Sequence, residues 1–182
     1  MNKLLRTWWA LVRARRSSRL AVTDVGRVRF RVRLTDIDTL RHMNNGVYLS
    51  IADLGRFDLL VRTGIWDVFQ REGWYPVVAN ATISYRKSLD FGQRYVLESK
   101  LIGIDARAVY AEQRFTVDGE IYARLVMRAR FLKRKGGVVS AHDIAEALGI
   151  ELADFVVPEW MSRWSDDVAL PSTKQPARSH WL

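Results

Sequence analysis

The chain has 182 residues, 48% apolar side chains and no cysteine, which suits one globular domain with a sizeable hydrophobic core. The lack of cysteine excludes thiol nucleophiles, disulfides and thiolate metal sites. It also agrees with a reducing compartment, and we expect a cytoplasmic location. The histidines His42, His142 and His180 are far apart in sequence and lack metal-site spacing, so we expect neither a metal nor a cofactor.

The formal net charge of +9 is concentrated at the N-terminus. Residues 1–33 hold ten of the 29 Lys and Arg residues and a single acid, Asp24, whereas the remaining chain holds equal numbers of basic and acidic side chains. Nucleic-acid binding is therefore the least favoured class, because the charge is confined to one end and no recognition motif follows it.

Residues 1–22 are predicted to form a basic amphipathic N-terminal helix. On a helical wheel, Trp8 and Trp9 lie on an apolar side, opposite Arg6 and Arg13. The uncharged run is too short to span a bilayer or to act as a secretory signal. The pattern is typical of an interfacial helix, so we expect contact with an anionic membrane, peripherally on its inner face. The alternatives are docking on the protein's own body or on a partner, and a transit peptide.

Alternation of apolar and polar residues with a period of two predicts five strands. They are expected at residues 27–34, 77–85, 95–104, 107–117 and 121–133. In the second of them, Val77, Ala79, Ala81, Ile83 and Tyr85 are predicted to share one face. The residues of the last strand predicted to point inward are Ile121, Ala123, Leu125, Met127, Ala129 and Phe131. Between the last two, Asp118-Gly119 is a two-residue hairpin signal.

One long apolar run indicates a central helix. It begins after Asn44 and Asn45, which are residue types that cap helix N-termini, and Gly64 fits its C-cap. Shorter helices are predicted at 65–71, at 141–148 after Ser140, and beyond Pro158. Because a sheet with one apolar face needs a cover, we predict an α+β fold with an antiparallel sheet wrapped around the central helix. The expected divisions are the helix 1–22, a domain 23–140, and a C-terminal helix with a loose tail 141–182.

The residues capable of chemistry precede the central helix. Asp36, Asp38 and His42 stand immediately before Asn44 and Asn45. The first amides of a helix lack internal partners and carry partial positive charge, so they stabilise an oxyanion that develops beside them. The structural alternative makes the two acids turn formers and the asparagines helix caps.

The pattern D-x-D-x-x-x-H-M-N-N-x-x-Y-L-x-x-A-D runs from Asp36 to Asp53. It resembles the hotdog-fold acyl-CoA thioesterases of the 4-hydroxybenzoyl-CoA thioesterase type, in particular the branch called thioesterase superfamily member six. The turn at 101–105 and the strand segment 110–115 resemble that branch too. The resemblance covers residues 27–135.

The resemblance implies hydrolysis of an acyl-CoA thioester to a free acid and CoA. It also implies a hotdog fold that binds substrate at the interface of a homodimer or a dimer of dimers. Asp38 is then the nucleophile or the general base, and His42 shares protons with it or orients the loop. Expected substrate-binding residues are Asn44, Asn45 and Gly46 through their amides, Tyr48 at the helix start, and Arg86 and Lys87 for the CoA phosphates.

Several alternatives stay open at this point. Plant acyl-carrier-protein thioesterases have a similar loop with an asparagine where this chain has Leu40, so their Asp/Asn/His arrangement does not transfer. A G-x-S-x-G elbow is absent, which removes the α/β-hydrolase route to the same reaction. A hotdog dehydratase or hydratase is one alternative. A non-catalytic acyl-CoA-binding or membrane-surface scaffold is the other.

Overall fold

The computed structural model describes residues 3–172 and 175–179, so His180 and part of the predicted loose tail lie outside the described residues. In this part of the chain, five antiparallel strands form one sheet with the order β1-β3-β4-β5-β2. The strands are β1 (Gly26–Arg31), β2 (Trp74–Tyr85), β3 (Arg94–Ile104), β4 (Val109–Val117) and β5 (Glu120–Lys133). The helices are α1 (Lys3–Arg16), α2 (Asn45–Arg62), α3 (Ile65–Glu72), α4 (Ala141–Leu148) and α5 (Glu159–Asp167).

The sheet wraps around α2, which confirms the predicted α+β architecture. Asn44 caps this helix as predicted, because its side-chain oxygen accepts a hydrogen bond from the amide of Gly46. The C-cap is Thr63, and Gly64 follows it in the left-handed conformation with φ 80°. The glycine expected at the helix end is thus one position further along.

The hydrophobic core lies between α2 and the inner face of the sheet. Phe115 and Leu125 have no exposed surface, and Tyr48 and Ile51 of α2 are buried against the same cluster. The residues of β5 predicted to point inward include five that are buried: Ala123, Leu125, Met127, Ala129 and Phe131. Between β4 and β5, Asp118 and Gly119 both have positive φ, as the predicted two-residue hairpin requires.

Two strand predictions were wrong in detail. β1 ends at Arg31, and Leu34 lies in a short 3-10 turn where it is 72% exposed. In β2 the register shifts between Val78 and Asn80, so that Val78 faces Ala129 and Val77 faces Arg130. Val77 therefore does not share a face with the inward residues further along the strand. An extra residue in one strand reverses the alternation locally, and a sequence pattern cannot reveal it.

The helix α1 packs on α2 through the side that was predicted to be polar. Ala10 and Ala14 are buried, whereas Trp8 and Trp9 are 60% and 67% exposed. Arg6 and Arg13 point toward the body, where they bind the buried acids Asp36 and Asp58. Burying a carboxylate without a cation destabilises the folded chain. The side of α1 that carries Arg6 and Arg13 therefore packs on the body of the protein.

No helix among the described residues combines the length and the hydrophobicity needed to cross a bilayer.

Candidate active site

The loop between β1 and α2 is held in place by Asp36, which is 1% exposed. The Arg6 guanidinium donates to both of its carboxylate oxygens, at 2.8 and 3.0 Å, and the Arg33 amide donates a third hydrogen bond at 3.0 Å. The backbone carbonyl of Asp36 accepts a hydrogen bond from the Asn44 amide at 2.9 Å, which joins the loop to the start of α2. These contacts agree with a structural role for Asp36.

Asp38 and His42 lie next to each other and both remain accessible to solvent. The Nδ1 atom of His42 is 3.6 Å from one carboxylate oxygen of Asp38, and the side chains are 29% and 24% exposed. The other oxygen accepts from the Leu40 amide at 2.9 Å, which fixes the carboxylate in an Asx-type turn. Two backbone hydrogen bonds, from Asp38 to His42 and from Arg41 to Asp38, close this tight loop.

A small pocket of about 140 Å³ opens beside this loop. Its lining residues are His42, Met43, Asn45, Tyr48, Tyr85, Arg86, Lys87 and Ser88. Five of the predicted site residues therefore meet at one place, although they come from the loop, from α2 and from the end of β2. Asp38 does not line this pocket and reaches it through His42.

The amides at the start of α2 are not equally available. The Gly46 amide donates to the Asn44 side chain at 2.9 Å, and the Asn44 and Val47 amides donate to backbone carbonyls. Within the described part of the chain, the Asn45 amide has no hydrogen-bond acceptor. Of the three amides that were predicted to bind substrate, the Asn45 N–H is the one free to do so.

Two tyrosines close the pocket over the helix start. The Tyr85 hydroxyl donates to the Asn45 carbonyl at 3.0 Å, and its ring packs edge-on against Tyr48 with centroids 5.1 Å apart. Burial raises the pKa of the Tyr48 hydroxyl, with a backbone hydrogen bond at Leu89 acting the other way, and burial also raises the pKa of Tyr85. Both phenols therefore stay protonated and act as donors at neutral pH.

The sequence analysis did not assign Tyr85, Met43 and Ser88 to the site. The only signal for Tyr85 was its position at the end of a strand, directly before Arg86 and Lys87. The fold brings that strand end against the start of α2, which residue spacing alone does not show.

Arg86 and Lys87 both bind Glu120, at 2.7 and 2.6 Å. Hydrogen bonds from Lys87 and Arg86 lower the pKa of this exposed carboxyl. An anionic group that binds these two cations would have to displace Glu120. Among the described residues, no group of three or more acidic or histidine side chains is arranged to hold a metal.

Comparison with known proteins places this geometry in a family. The family model described as the thioesterase-like superfamily matches residues 32–165, well over half of the chain. THEM6 of Xenopus laevis is 36% identical over 95 residues, covering 52% of this chain and 46% of that protein. THEM6 of Danio rerio is 35% identical over 100 residues, covering 55% and 50%. The chain thus spans about half the length of the curated relatives it matches.

Solved structures share the fold. The probable thioesterase YbaW of Escherichia coli superposes with a TM-score of 0.64 at 20% identity, covering 67% of this chain and 95% of that one. The DHNA-CoA thioesterase of Staphylococcus aureus gives a TM-score of 0.60 at 14% identity, covering 69% and 89%. The chain has the hotdog fold of these proteins, and it belongs to the thioesterase-like superfamily.

Proposed function

We propose that this protein is an acyl-CoA thioesterase that hydrolyses an acyl-CoA to the free acid and CoA. The observation that carries the proposal is the accessible Asp38–His42 pair beside the unpaired amide of Asn45 at the start of α2. A carboxylate and free amides at a helix N-terminus are the two elements that acyl transfer to water needs. Membership of a thioesterase-like family supports this assignment.

In the proposed mechanism, Asp38 either attacks the thioester carbonyl as a nucleophile, which gives a mixed anhydride that water then hydrolyses to the free acid, or acts as a general base. In the general-base route, Asp38 removes a proton from the attacking water. His42, 3.6 Å away, shares that proton and returns it to the departing thiolate. The Asn45 amide donates to the oxyanion, and the positive end of the α2 dipole stabilises the same charge. Tyr85 supports this step by holding the Asn45 carbonyl.

Substrate binding is proposed to involve the small pocket and a second copy of the chain. A volume of about 140 Å³ is below the roughly 300 Å³ at which ligand sites begin, so further walls are needed. The pocket lies at the end of β2, which is an edge strand with Tyr75, Val77 and Val78 exposed. We propose that this edge pairs with its equivalent in a homodimer, which encloses the acyl group, while Arg86 and Lys87 hold the CoA phosphates.

Contact with an anionic membrane surface remains part of the proposal. Trp8 and Trp9 are exposed on α1 next to Arg15 and Arg16, and aromatic and basic side chains together favour the lipid interface. The second candidate function is a non-catalytic acyl-CoA-binding or membrane-surface scaffold with the same fold. The exposed tryptophans agree with the scaffold as well as with the enzyme. A measurement of turnover distinguishes these two functions.

The deciding measurement is thiol release from short, medium, long and aromatic acyl-CoAs by the wild type and Asp38→Asn. We expect turnover by the wild type and a loss of about two or more orders of magnitude in kcat for the variant, because the carboxylate takes part in the reaction itself. Asp67→Asn is the matched control, since Asp67 is an exposed acid on α3, and it should keep full activity.

The outcomes separate the parts of the proposal. Full turnover by a correctly folded Asp38→Asn would refute the role of Asp38 and leave the activity standing. If the wild type hydrolyses nothing on the panel but binds acyl-CoA, the scaffold function replaces the enzyme.

A further inference from the structure

A groove of about 570 Å³ lies between α1 and the edge strand β1, away from the pocket at the start of α2. Its lining residues are Arg6, Trp9, Ala10, Arg13, Arg29, Phe30, Arg31, Arg33, Leu54 and Arg94. It shares no lining residue with the candidate active site, and its volume is within the range of small-molecule sites. Six of the ten residues are arginines, and none is acidic.

Two of these arginines, Arg6 and Arg13, are held in position by buried carboxylates. Arg6 binds the buried carboxylate of Asp36 at 2.8 Å, and Arg13 binds that of Asp58 at 2.9 Å. Asp58 is shared with Arg62, which approaches its other oxygen at 3.2 Å. Buried carboxylates thus match the charges of Arg6 and Arg13, and the positive charge that is left in the groove includes that of Arg29, Arg31 and Arg94.

The other end of the groove contains arginines that no carboxylate neutralises. Arg31 of β1 stands directly opposite Arg94 of β3 in the antiparallel register, and like charges in that position destabilise a sheet. Neither Arg94 nor Arg29 forms an ion pair within the described part of the chain. The Arg31 guanidinium donates a hydrogen bond to the Gly92 carbonyl, which fixes the Arg31 side chain in position. Such an arrangement is stabilised by a bound anion.

The floor of the groove, between the arginines of α1 and those of the sheet, is apolar. Ala10 and Leu54 are buried where α1 meets α2, and Phe30 is partly buried and stacked on Tyr95 with ring centroids 5.7 Å apart. Trp9 forms one wall, whereas its neighbour Trp8 does not line the groove. Apolar walls with convergent cations at one end suit a molecule that has a hydrocarbon chain and an anionic head.

We propose that this groove binds a single-chain fatty carboxylate as a free monomer. The chain lies on Trp9, Phe30 and Leu54, and the carboxylate takes hydrogen bonds from Arg94 and its neighbours on β1. The proposal is independent of thioester hydrolysis, because it concerns a separate surface and a binding step alone.

The test is calorimetric titration of the full chain with sodium dodecanoate below its micelle concentration. Arg94→Gln should weaken binding about tenfold, because one charge-assisted hydrogen-bonding partner is lost. Arg130→Gln removes an equally exposed strand arginine outside the groove, and its affinity should stay within about twofold of the wild type. Trp9→Ala should weaken binding about fivefold, whereas Trp8→Ala on the same helix should not. Dodecyltrimethylammonium, with the same chain and a positive head, should not bind.

The proposal is wrong if dodecanoate does not bind. It is also wrong if Arg130→Gln weakens binding as much as Arg94→Gln does, and Trp8→Ala as much as Trp9→Ala. A parallel co-sedimentation with phosphatidylglycerol-containing vesicles distinguishes the other source of an anionic amphiphile. Binding to vesicles without binding of monomeric dodecanoate, with equal dependence on Trp8 and Trp9, would assign this face to the bilayer and overturn the groove site.

Discussion

At the scale of single residues, the buried acids in the described part of the chain are all held by guanidinium groups. Asp36 is bound by Arg6, and Asp58 is bound by Arg13 and by Arg62. The pairs of Arg6 and Arg13 link α1 to elements that are distant in sequence, whereas Arg62 lies one turn from Asp58 within α2. Removing one partner from such a pair leaves an uncompensated buried charge, which destabilises more than the pair itself stabilises. These residues thus fix the position of α1 and of the loop that carries Asp38.

Glu112 allows a test of this arrangement by pH. It is 7% exposed, and although burial by itself raises its pKa, hydrogen bonds from Arg124 and Arg114 outweigh burial and lower the pKa below 4.5. A lowered pKa means that the stabilisation is complete above the ordinary value and is lost as the pH falls through the lowered one. We expect Glu112→Gln to lower the free energy of unfolding by about 1–2 kcal/mol at pH 7.

Urea unfolding at a series of pH values measures this difference between wild type and variant. The difference should shrink as the pH falls below about 4.5, the ordinary pKa of this carboxyl. Glu159→Gln, at an exposed pair on α5, should change stability by less than about 0.5 kcal/mol at any pH. A difference for Glu112→Gln that is constant from pH 7 to pH 3 would contradict the role of the ion pairs.

At the scale of elements, α2 lies against the sheet at Gly55 with no room for a larger side chain. A Cβ atom there would lie 2.5 Å from Leu97 Cδ2, 2.8 Å from Ser99 Oγ and 3.0 Å from Gln113 Nε2. Gln113 has no exposed surface, and it ties the helix to the sheet by donating to the Ala52 carbonyl at 2.9 Å and to Ser99 at 2.8 Å. Packing therefore requires glycine at this position, although glycine has a poor helix propensity.

Gly55→Ala should lower the free energy of unfolding by about 1–3 kcal/mol, although alanine favours the helix by about 1 kcal/mol. Chemical denaturation measures the change. In a Leu97→Ala background the nearest clashing group is gone, so the same substitution should cost much less. Equal costs in the two backgrounds, or a stabilising Gly55→Ala, would show that the close approach is not what selects glycine.

At the scale of the whole molecule, the edge strand β2 exposes apolar side chains, and among the described residues no strand lies along its outer side. Apolar edges pair with another strand where neither charge nor proline protects them, and the one proline of β2, Pro76, is its third residue. We expect the wild type to sediment as a homodimer, and Val77→Lys/Val78→Lys to shift it to the monomer and reduce turnover.

The matched control is Val156→Lys, an exposed valine in the segment before α5. It should leave the dimer intact. A wild type that stays monomeric at tens of micromolar would contradict the proposed pairing through β2, and it would leave the small pocket at the helix start to be completed in another way.

Features that depend on neighbouring residues could be predicted from the sequence alone. The start of α2 at its Asn44 cap, the Asp118-Gly119 hairpin, the inward residues of β5 and the Ser140 cap of α4 were all predicted. Each follows from local turn chemistry or from side-chain periodicity, which need no knowledge of the rest of the chain. The loop pattern before α2 also identified the family and several of the residues that line the pocket.

The packed fold is what brings groups together across long sequence separations. It placed Arg6 on Asp36, Tyr85 on Asn45 and Arg31 opposite Arg94, and it showed that the Asn45 amide is the unpaired one. It also turned the basic side of α1 inward, because burying two acids requires cations, whereas a helical wheel ranks the same side as polar and therefore solvent-facing. Periodicity records which residues share a face, but the partner of that face is set by the energy of the whole packed chain.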